Sequence, residues 1–508
     1  MVELPVEGRL NLAKTDDRGI PGSAGQSRTW AWRRAGCVAS LFAILCAAPA
    51  RVEGASFGLP IGTQPGEQSE PEPGQATQGE ETPGQPVFFL GGLLDAFHKE
   101  RQALKDIGIT FSLHERSEVW ANLSGGGHQG LSYNGLTIAK LNLDLDALFG
   151  WSGGELFTSA FDVHGHGPTR ALVGNQQLVS NIEATPSIKL YDLWLDQTLL
   201  DKKLSIRAGQ EGANDEMMVT AYGGVFLNSS FGFPGLPASD LPSGGPNYPL
   251  AAPFARMLYS ATDKLTIVGA VYTADPAPPG TGDPQARDRN GTAFRLNDHT
   301  IGFGELWYSP DPDAPDNLPT TYKIGGWYAT NDFADQRFDN TGGLLASPMS
   351  SGKPLIHIGD WAFYGIIDQK VWQRPDSQNQ GIGVFLQIMG GPSNRNLSNV
   401  FVEGGMNWQG PFKHRADDIF GLGVSYLGIS PQARRFSSDL VAFGSATSTY
   451  ASNETVIEAT YSAKVTDWLT LQPDIQYVIN PNAGIPNNFG NVPLSNAFVI
   501  GMRATIKL

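Results

Sequence analysis

Three features of the sequence predict one fold class, an all-β chain closed into a transmembrane antiparallel β-barrel of about sixteen strands with a short N-terminal helix. Runs of about 8 to 14 residues that alternate apolar and polar side chains recur from Ile109 to Leu508. Short turns such as 200–202 and 466–467 alternate with long polar or Pro/Gly-rich loops such as 211–254, 274–298 and 331–360. Ahead of both stands a segment with the grammar of an export signal.

That segment is read first. Arg33 and Arg34 precede the apolar run AGCVASLFAILCAA, which ends in APA at Ala48–Ala50, the order of charge, apolar run and small residues that marks a secretory signal peptide over residues 1–50. The apolar run is about 14 residues against the roughly 20 of a spanning helix, so an anchor is the weaker reading. Both cysteines, Cys37 and Cys46, fall inside it, and the mature chain would hold neither disulfide nor thiolate metal site. Cys46 also lacks the leucine three residues earlier that a lipid anchor would want. The twin arginine is incidental if the product is a barrel, because such a chain must cross the inner membrane unfolded.

The whole chain carries 35 Lys/Arg against 50 Asp/Glu, and without residues 1–50 it carries 29 against 46, a formal charge of −17. This excludes nucleic acid as a partner. A pore that attracts anions would want a surplus of lumenal Lys and Arg, so neutral or cationic solutes fit better. Residues 51–86 include IGTQPGEQSEPEPGQATQGEETPGQP, which has too little apolar surface to fold and reads as a disordered linker. The remaining unit, 87–508, opens with FFLGGLLDAFHKERQALKD, where Leu90, Leu94, Phe97, Leu104 and Ile107 share one side of a short helix.

Sixteen strands are expected at 109–122, 136–149, 155–164, 188–199, 203–210, 255–260, 264–273 and 299–309, then at 320–330, 361–373, 380–390, 400–409, 417–430, 454–465, 468–479 and 497–508. No further helix is expected after Ile109. In the hairpin 456–479, Ile457, Ala459, Tyr461, Ile475 and Tyr477 share one face, and Glu458, Thr460, Asp474 and Gln476 share the other. By itself this leaves two readings, a soluble sheet with an apolar core or a barrel with the apolar face on lipid. The last run, AFVIGMRATIKL, carries its apolar face to Leu508 and opposes it with Arg503, Thr505 and Lys507, which predicts a final strand closing against the first. Pro473 lacks the N–H that a central strand uses.

Several motifs together resemble the carbohydrate-selective porins of bacterial outer membranes, the OprB type. They are LYDLWLDQTLLDKKLSIRAGQ (190–210), GTAFRL (291–296), TYKIGGWY (321–328), GIIDQKVW (365–372), the run from GPSNRNLSNVFVEGG to SYLGIS (391–430) and VTDWLTLQPDIQYVINP (465–481). The resemblance spans about Leu104 to Leu508. It implies a sixteen-stranded barrel, passive uptake of mono- or oligosaccharides, no enzymatic activity and no cofactor. It also implies a bacterial outer-membrane location, contact with outer-membrane lipid, and barrel-assembly machinery as a partner during biogenesis. Under it, the face of Ile457 points to lipid and that of Glu458 and Asp474 to water.

Strand parity then selects the pore lining. On the first strand His114, Arg116, Glu118 and Trp120 share the inward face, and on the second Lys140, Asn142 and Asp144. Asp192 and Trp194 oppose Tyr191, Leu193 and Leu195, and Arg207 opposes Leu204, Ile206 and Ala208. Arg503 joins Glu458 and Asp474 from the C-terminal strands. Carboxylates and guanidinium groups can replace a sugar's hydration, while an aromatic face packs on its C–H surface. The plain alternatives are a solvated wall for each charge and an interfacial girdle for each tryptophan. Trp194 stands about eight residues before the turn and Arg207 about four after it, roughly 13 Å apart in height at ~3.3 Å per residue.

Weaker constellations remain. Asp162, His164 and His166 could offer metal ligands from one face, although a glycine-rich strand end is the simpler account. The SGGG and SGG segments lack the Lys and helix of a phosphate loop. Carboxylates are numerous enough for a glycosidase pair, but no spacing singles one out. The competing function is therefore a secreted all-β carbohydrate-binding or carbohydrate-active protein, distinguished by where its apolar faces point.

Overall fold

The computed structural model describes residues 101–310, 318–377 and 379–507. The expected signal peptide (1–50), linker (51–86) and helix lie outside the described residues, save 101–106, which are helical. Sixteen strands follow: β1 (Ile109–Gly126), β2 (Gly130–Asp144), β3 (Gly154–Gly165), β4 (Ser187–Leu199), β5 (Leu204–Glu211), β6 (Ala252–Thr262), β7 (Leu265–Thr273) and β8 (Thr300–Tyr308). The second half is β9 (Thr320–Asp339), β10 (Pro354–Gln373), β11 (Gly381–Gly390), β12 (Ser398–Gln409), β13 (Ile419–Ile429), β14 (Asn453–Lys464), β15 (Leu469–Ile479) and β16 (Ser495–Lys507). Each strand pairs antiparallel with its sequence neighbours, and β1 pairs with β16 to close the barrel. Closure removes every free edge, which a membrane requires because lipid cannot hydrogen-bond a bare backbone.

The faces are sorted as a barrel requires. Ile457, Ile475, Tyr477, Ile500 and Met502 are exposed on the outside, whereas Glu458, Asp474, Gln476 and Arg503 are buried inside. A soluble sheet with an apolar core would have the reverse. At the closing seam Glu118 pairs with Arg503 and Trp120 with Gly501. Gly501 is needed there, since a Cβ would lie 2.3 Å from the Trp120 ring.

Several expectations are corrected. β2 begins earlier than expected and ends at Asp144, and Leu145–Phe149 form a short helix rather than strand. Asp144 caps it, accepting from the N–H groups of Asp146 at 2.9 Å and Ala147 at 3.1 Å. Much of the expected loop 331–360 is strand, because β9 and β10 continue as a long hairpin beyond the barrel wall. A helix occupies Pro431–Ala442 where no helix was expected. Its local signals are standard: Ser430 Oγ accepts from Ala433 N at 3.2 Å, and Pro431 takes the first turn, where its missing N–H costs nothing. At Pro473 the β14–β15 ladder is interrupted between Asp474 and Leu471, while the β16 side still pairs Pro473 with Met502. Thr460 Oγ1 reaches the Pro473 carbonyl at 3.4 Å.

Turns and loops divide by side. β4 and β5 are joined by a turn in which Leu200, Asp201 and Lys202 all have positive φ, and Lys203 N donates to Leu200 O at 3.1 Å. The β3–β4 loop (166–186) and the β5–β6 loop (212–251) instead fold into the barrel. There Leu227 joins Val456, Val478 and Val499, and Leu236 joins Phe401 and Leu427, so the apolar core lies between loop and wall.

Arginine placed on the lipid side at Ala459 or Ile475 should prevent assembly, because a charge at mid-bilayer costs roughly 2–4 kcal/mol. Arginine at Thr470, inward on the same strand as Ile475, should leave the heat-modifiable barrel band at its normal yield. Equal yields at the two faces would overturn the assignment of inside and outside.

Candidate pore constriction

A loop taken into a barrel brings backbone N–H groups that need acceptors, and leaving one buried without a partner costs about 1–3 kcal/mol. Inward carboxylates supply them. Glu458 accepts from Leu227 N at 2.5 Å and Asn228 N at 3.0 Å. Glu305 accepts from Met218 N at 2.7 Å, and Asp368 from Ala221 N at 2.8 Å. The β3–β4 loop is held in the same way, with Glu454 accepting from Gln176 N and Gln177 N, each at 2.8 Å. Gln476 adds a donor, to Val179 O at 2.8 Å. Stacked Phe226 and Phe231, 4.4 Å apart, pack toward Phe385 on the wall.

The loops also pack on β1–β7, and the remaining charged groups converge there near β4–β6. Arg207 Nε lies 3.0 Å from Asp196, and its Nη1 is 3.4 Å from Glu211 and 3.6 Å from Glu216 of the β5–β6 loop. Its guanidinium also covers the Trp194 ring at 3.8 Å. Arg256 grips Glu216 with two bonds, Nε at 2.5 Å and Nη2 at 2.6 Å, and reaches Asp196 at 3.3 Å. Asp192 accepts from Ser159 Oγ at 2.6 Å, and Trp194 stacks on Phe157 at 4.9 Å. From the loop, Asp215 enters this field; burial first, then the neighbouring Asp192 and Glu211 carboxylates, push its carboxyl well above the usual range.

The expected pore residues thus separate. Asp192, Trp194 and Arg207 are brought together, and the height difference between Trp194 and Arg207 is bridged by the arginine side chain, since its own strand position pairs with Asp196. Arg116 faces inward and is 8% exposed. Glu118, Trp120 and Arg503 face inward but form the seam beneath the β3–β4 loop: Arg503 meets Glu118 at 2.5 Å, and Trp120 Nε1 and Ser180 Oγ donate to it at 2.8 and 2.5 Å. Glu458 and Asp474 are covered by the loops at 0 and 2% exposure, and Asp192, Trp194 and Arg207 are little more open at 1, 6 and 6%, with Arg207 in contact with Glu216 of the β5–β6 loop. Asp144 is an exposed helix cap at the turn.

Tyr191, expected outward, is buried and stacked on Phe161 at 4.4 Å, because the β3–β4 register shifts between Thr158 and Ala160. Asp196 and Arg256 were within reach of parity reasoning. Asp215 and Glu216 were not, because their loop has no period to read. Asp162 and His164 fall on the outward face, and among the described residues no three metal-ligating side chains gather.

The family model for the carbohydrate-selective porins, OprB family, matches residues 128–508. The chain belongs to that family. It is 24% identical over 426 residues to Porin B of Pseudomonas aeruginosa, covering 80% of this chain and 88% of the relative. In fold it is similar to the high-pH structure of Pseudomonas putida OprB, with a TM-score of 0.71 at 20% identity over 81% of this chain and 97% of the other. As an OprB-family member the chain is an outer-membrane porin for passive, carbohydrate-selective diffusion, a channel and not an enzyme. The secreted alternative is set aside.

Two predictions follow from the loop anchors. Glu458→Ala removes the acceptor for two loop N–H groups, so single-channel conductance should rise and sugar discrimination fall while the barrel still folds; unaltered conductance would show that packing alone holds the loop. Glu183, in the β3–β4 loop near Glu118 and Tyr248, accepts from Thr169 N at 2.9 Å, and burial pushes its carboxyl from 4.5 up to about 7. A raised carboxyl pKa means the packed loop holds its proton more tightly than the released loop. Its stability is therefore greatest below pH 4.5 and declines as pH rises to about 7. Open-channel noise should increase across that window and stay flat in Glu183→Gln.

Proposed function

We propose that the cluster of Asp192, Trp194, Arg207, Arg256, Asp215 and Glu216 is the selective part of this OprB-family pore and that it favours small neutral sugars. What carries the reading is the Arg207 guanidinium, held by carboxylates on one side while lying 3.8 Å above the Trp194 ring. Carboxylate oxygens accept from sugar hydroxyls and guanidinium N–H groups donate to them, while the Trp194 ring, covered by Phe157 and Arg207, fixes the guanidinium plane. Because each guanidinium is already paired, the cluster offers hydrogen bonds without a deep well for an anion such as phosphate. Binding stays weak enough for release, which a channel requires.

The same reading covers the rest of the chain. Residues 1–50 are taken as the export signal and 51–86 as a linker, ahead of a barrel inserted by the assembly machinery and surrounded by outer-membrane lipid. The aliphatic outer wall supports that environment.

In planar bilayers, added monosaccharide should reduce the ionic current of the wild-type channel. Arg207→Ala and Asp192→Ala should both weaken that block, the first raising cation preference and the second lowering it. Trp194→Ala should weaken sugar block at unchanged folded yield. Current blocked by phosphate and indifferent to sugars would overturn the assignment.

A further inference from the structure

The β5–β6 loop meets the β10–β12 wall at a corner with more acceptors than donors. A short helix in that loop, Gly235–Asp240, packs Leu236 on Phe401 of β12. Asp240 ends the helix half-buried and accepts from Leu397 N at 2.6 Å and Ser398 N at 3.5 Å. Asp360 on β10 accepts from Asn396 Nδ2 at 3.3 Å. Asp360, Asn396 and Ser398 are fully enclosed, each at 0% exposure, and Asp360 is the neighbouring charge that acts on Asp240.

Several of these oxygens have nothing to bond. Asp360 Oδ2, Asn396 Oδ1 and Ser398 Oγ are buried and find no partner in the chain. The same holds for Asn331 Oδ1 on β9, two residues beyond Ala329, the register partner of Asp360. Among the described residues neither Asp240 nor Asp360 is in an ion pair. Arg395 bears on Asp360 through its charge, but its Nη1 donates to Gly359 O at 2.5 Å and its Nε to Asn394 Oδ1 at 3.2 Å.

A charge removed from water is paired or bound to a metal, and a water molecule could donate to these oxygens without offsetting either carboxylate. The donor set is carboxylate, amide and hydroxyl oxygen, with no nitrogen or sulfur ligand, which is the preference of a hard cation. We propose that this corner binds a calcium ion, held by Asp360 and Asp240 together with the Asn396 side-chain carbonyl and the Ser398 hydroxyl. No three His, Cys, Asp or Glu side chains gather among the described residues, which bears on zinc-type sites; calcium takes about six to eight oxygens of any kind. Its irregular shell suits oxygens drawn from three chain segments, whereas magnesium demands a near-ideal octahedron and keeps several waters. The ion ties the end of the loop helix to β10 and to the connection that enters β12, and half-buried Asp240 keeps the surface through which it enters. The site does not rest on the sugar reading.

The test uses the full chain purified in detergent, stripped with EDTA and freed of lipopolysaccharide, which itself binds calcium. Isothermal titration with CaCl2 should show saturable binding of about one ion per chain, several-fold tighter than with MgCl2. Calcium should also raise the temperature at which the heat-modifiable band converts. Asp360→Asn keeps the side-chain shape and the acceptor for Asn396, and it should lose both effects; Asp417→Asn, at an exposed turn carboxylate, should keep them. If Asp360→Asn gives no folded barrel, Ser398→Ala takes its place, with calcium affinity expected to fall several-fold. Wild-type barrel that binds no calcium would overturn the proposal, as would equal binding by wild type and the Asp360→Asn or Ser398→Ala variant. So would a conversion temperature raised by acid and indifferent to calcium, the sign of carboxylates kept neutral by protons.

Discussion

The architecture depends on buried wall carboxylates that accept the backbone N–H groups of the two loops folded into the barrel. An empty sixteen-stranded barrel would be a wide water-filled hole. Glu305, Asp368, Glu454 and Glu458 project inward by strand parity and meet the chain at Met218, Ala221, Gln176 and Leu227. Each is a charge-assisted contact in a poorly hydrated place, where losing the partner costs more than the bond itself contributes. The apolar side chains of the loops then complete the packing with inward wall residues such as Val456 and Phe401.

The loops contact both halves of the wall, and on the β1–β6 side Glu216 is bonded directly to Arg256 and lies 3.6 Å from Arg207. Arg207 and Arg256 are each held by more than one carboxylate, so their guanidinium planes are oriented before any solute arrives. Side chains held in this way have little conformational entropy left to lose. Trp194, stacked between Phe157 and the Arg207 guanidinium, has its ring plane set by the same contacts.

The outer wall obeys a different solvent. Around most of the barrel it is apolar, with aliphatic residues such as Ile457, Ile475 and Ile500 joined by aromatic ones such as Tyr328, Trp361 and Phe363.

What the sequence alone determined was periodic. Alternation with period two assigned nearly every strand, and for Ile457 and Glu458, Ile475 and Gln476, and Met502 and Arg503 it assigned the faces correctly once the solvent on each side was known. It worked because one face meets lipid and the other does not, so the selection on alternate positions is strong. Errors lie where period two fails, at the register shift that turned Tyr191 inward, at the Asp144 turn and in the helix after Ser430, and also in the β9–β10 hairpin, whose polar extension reads as loop. Only the tertiary structure decided which loop atoms the inward charges meet. Parity says that Glu458 and Arg207 both face inward, but that one accepts from Leu227 N and the other lies against Glu216 depends on where the β5–β6 loop comes to rest. Those positions are set by contacts between residues far apart in the chain, and no local pattern encodes them.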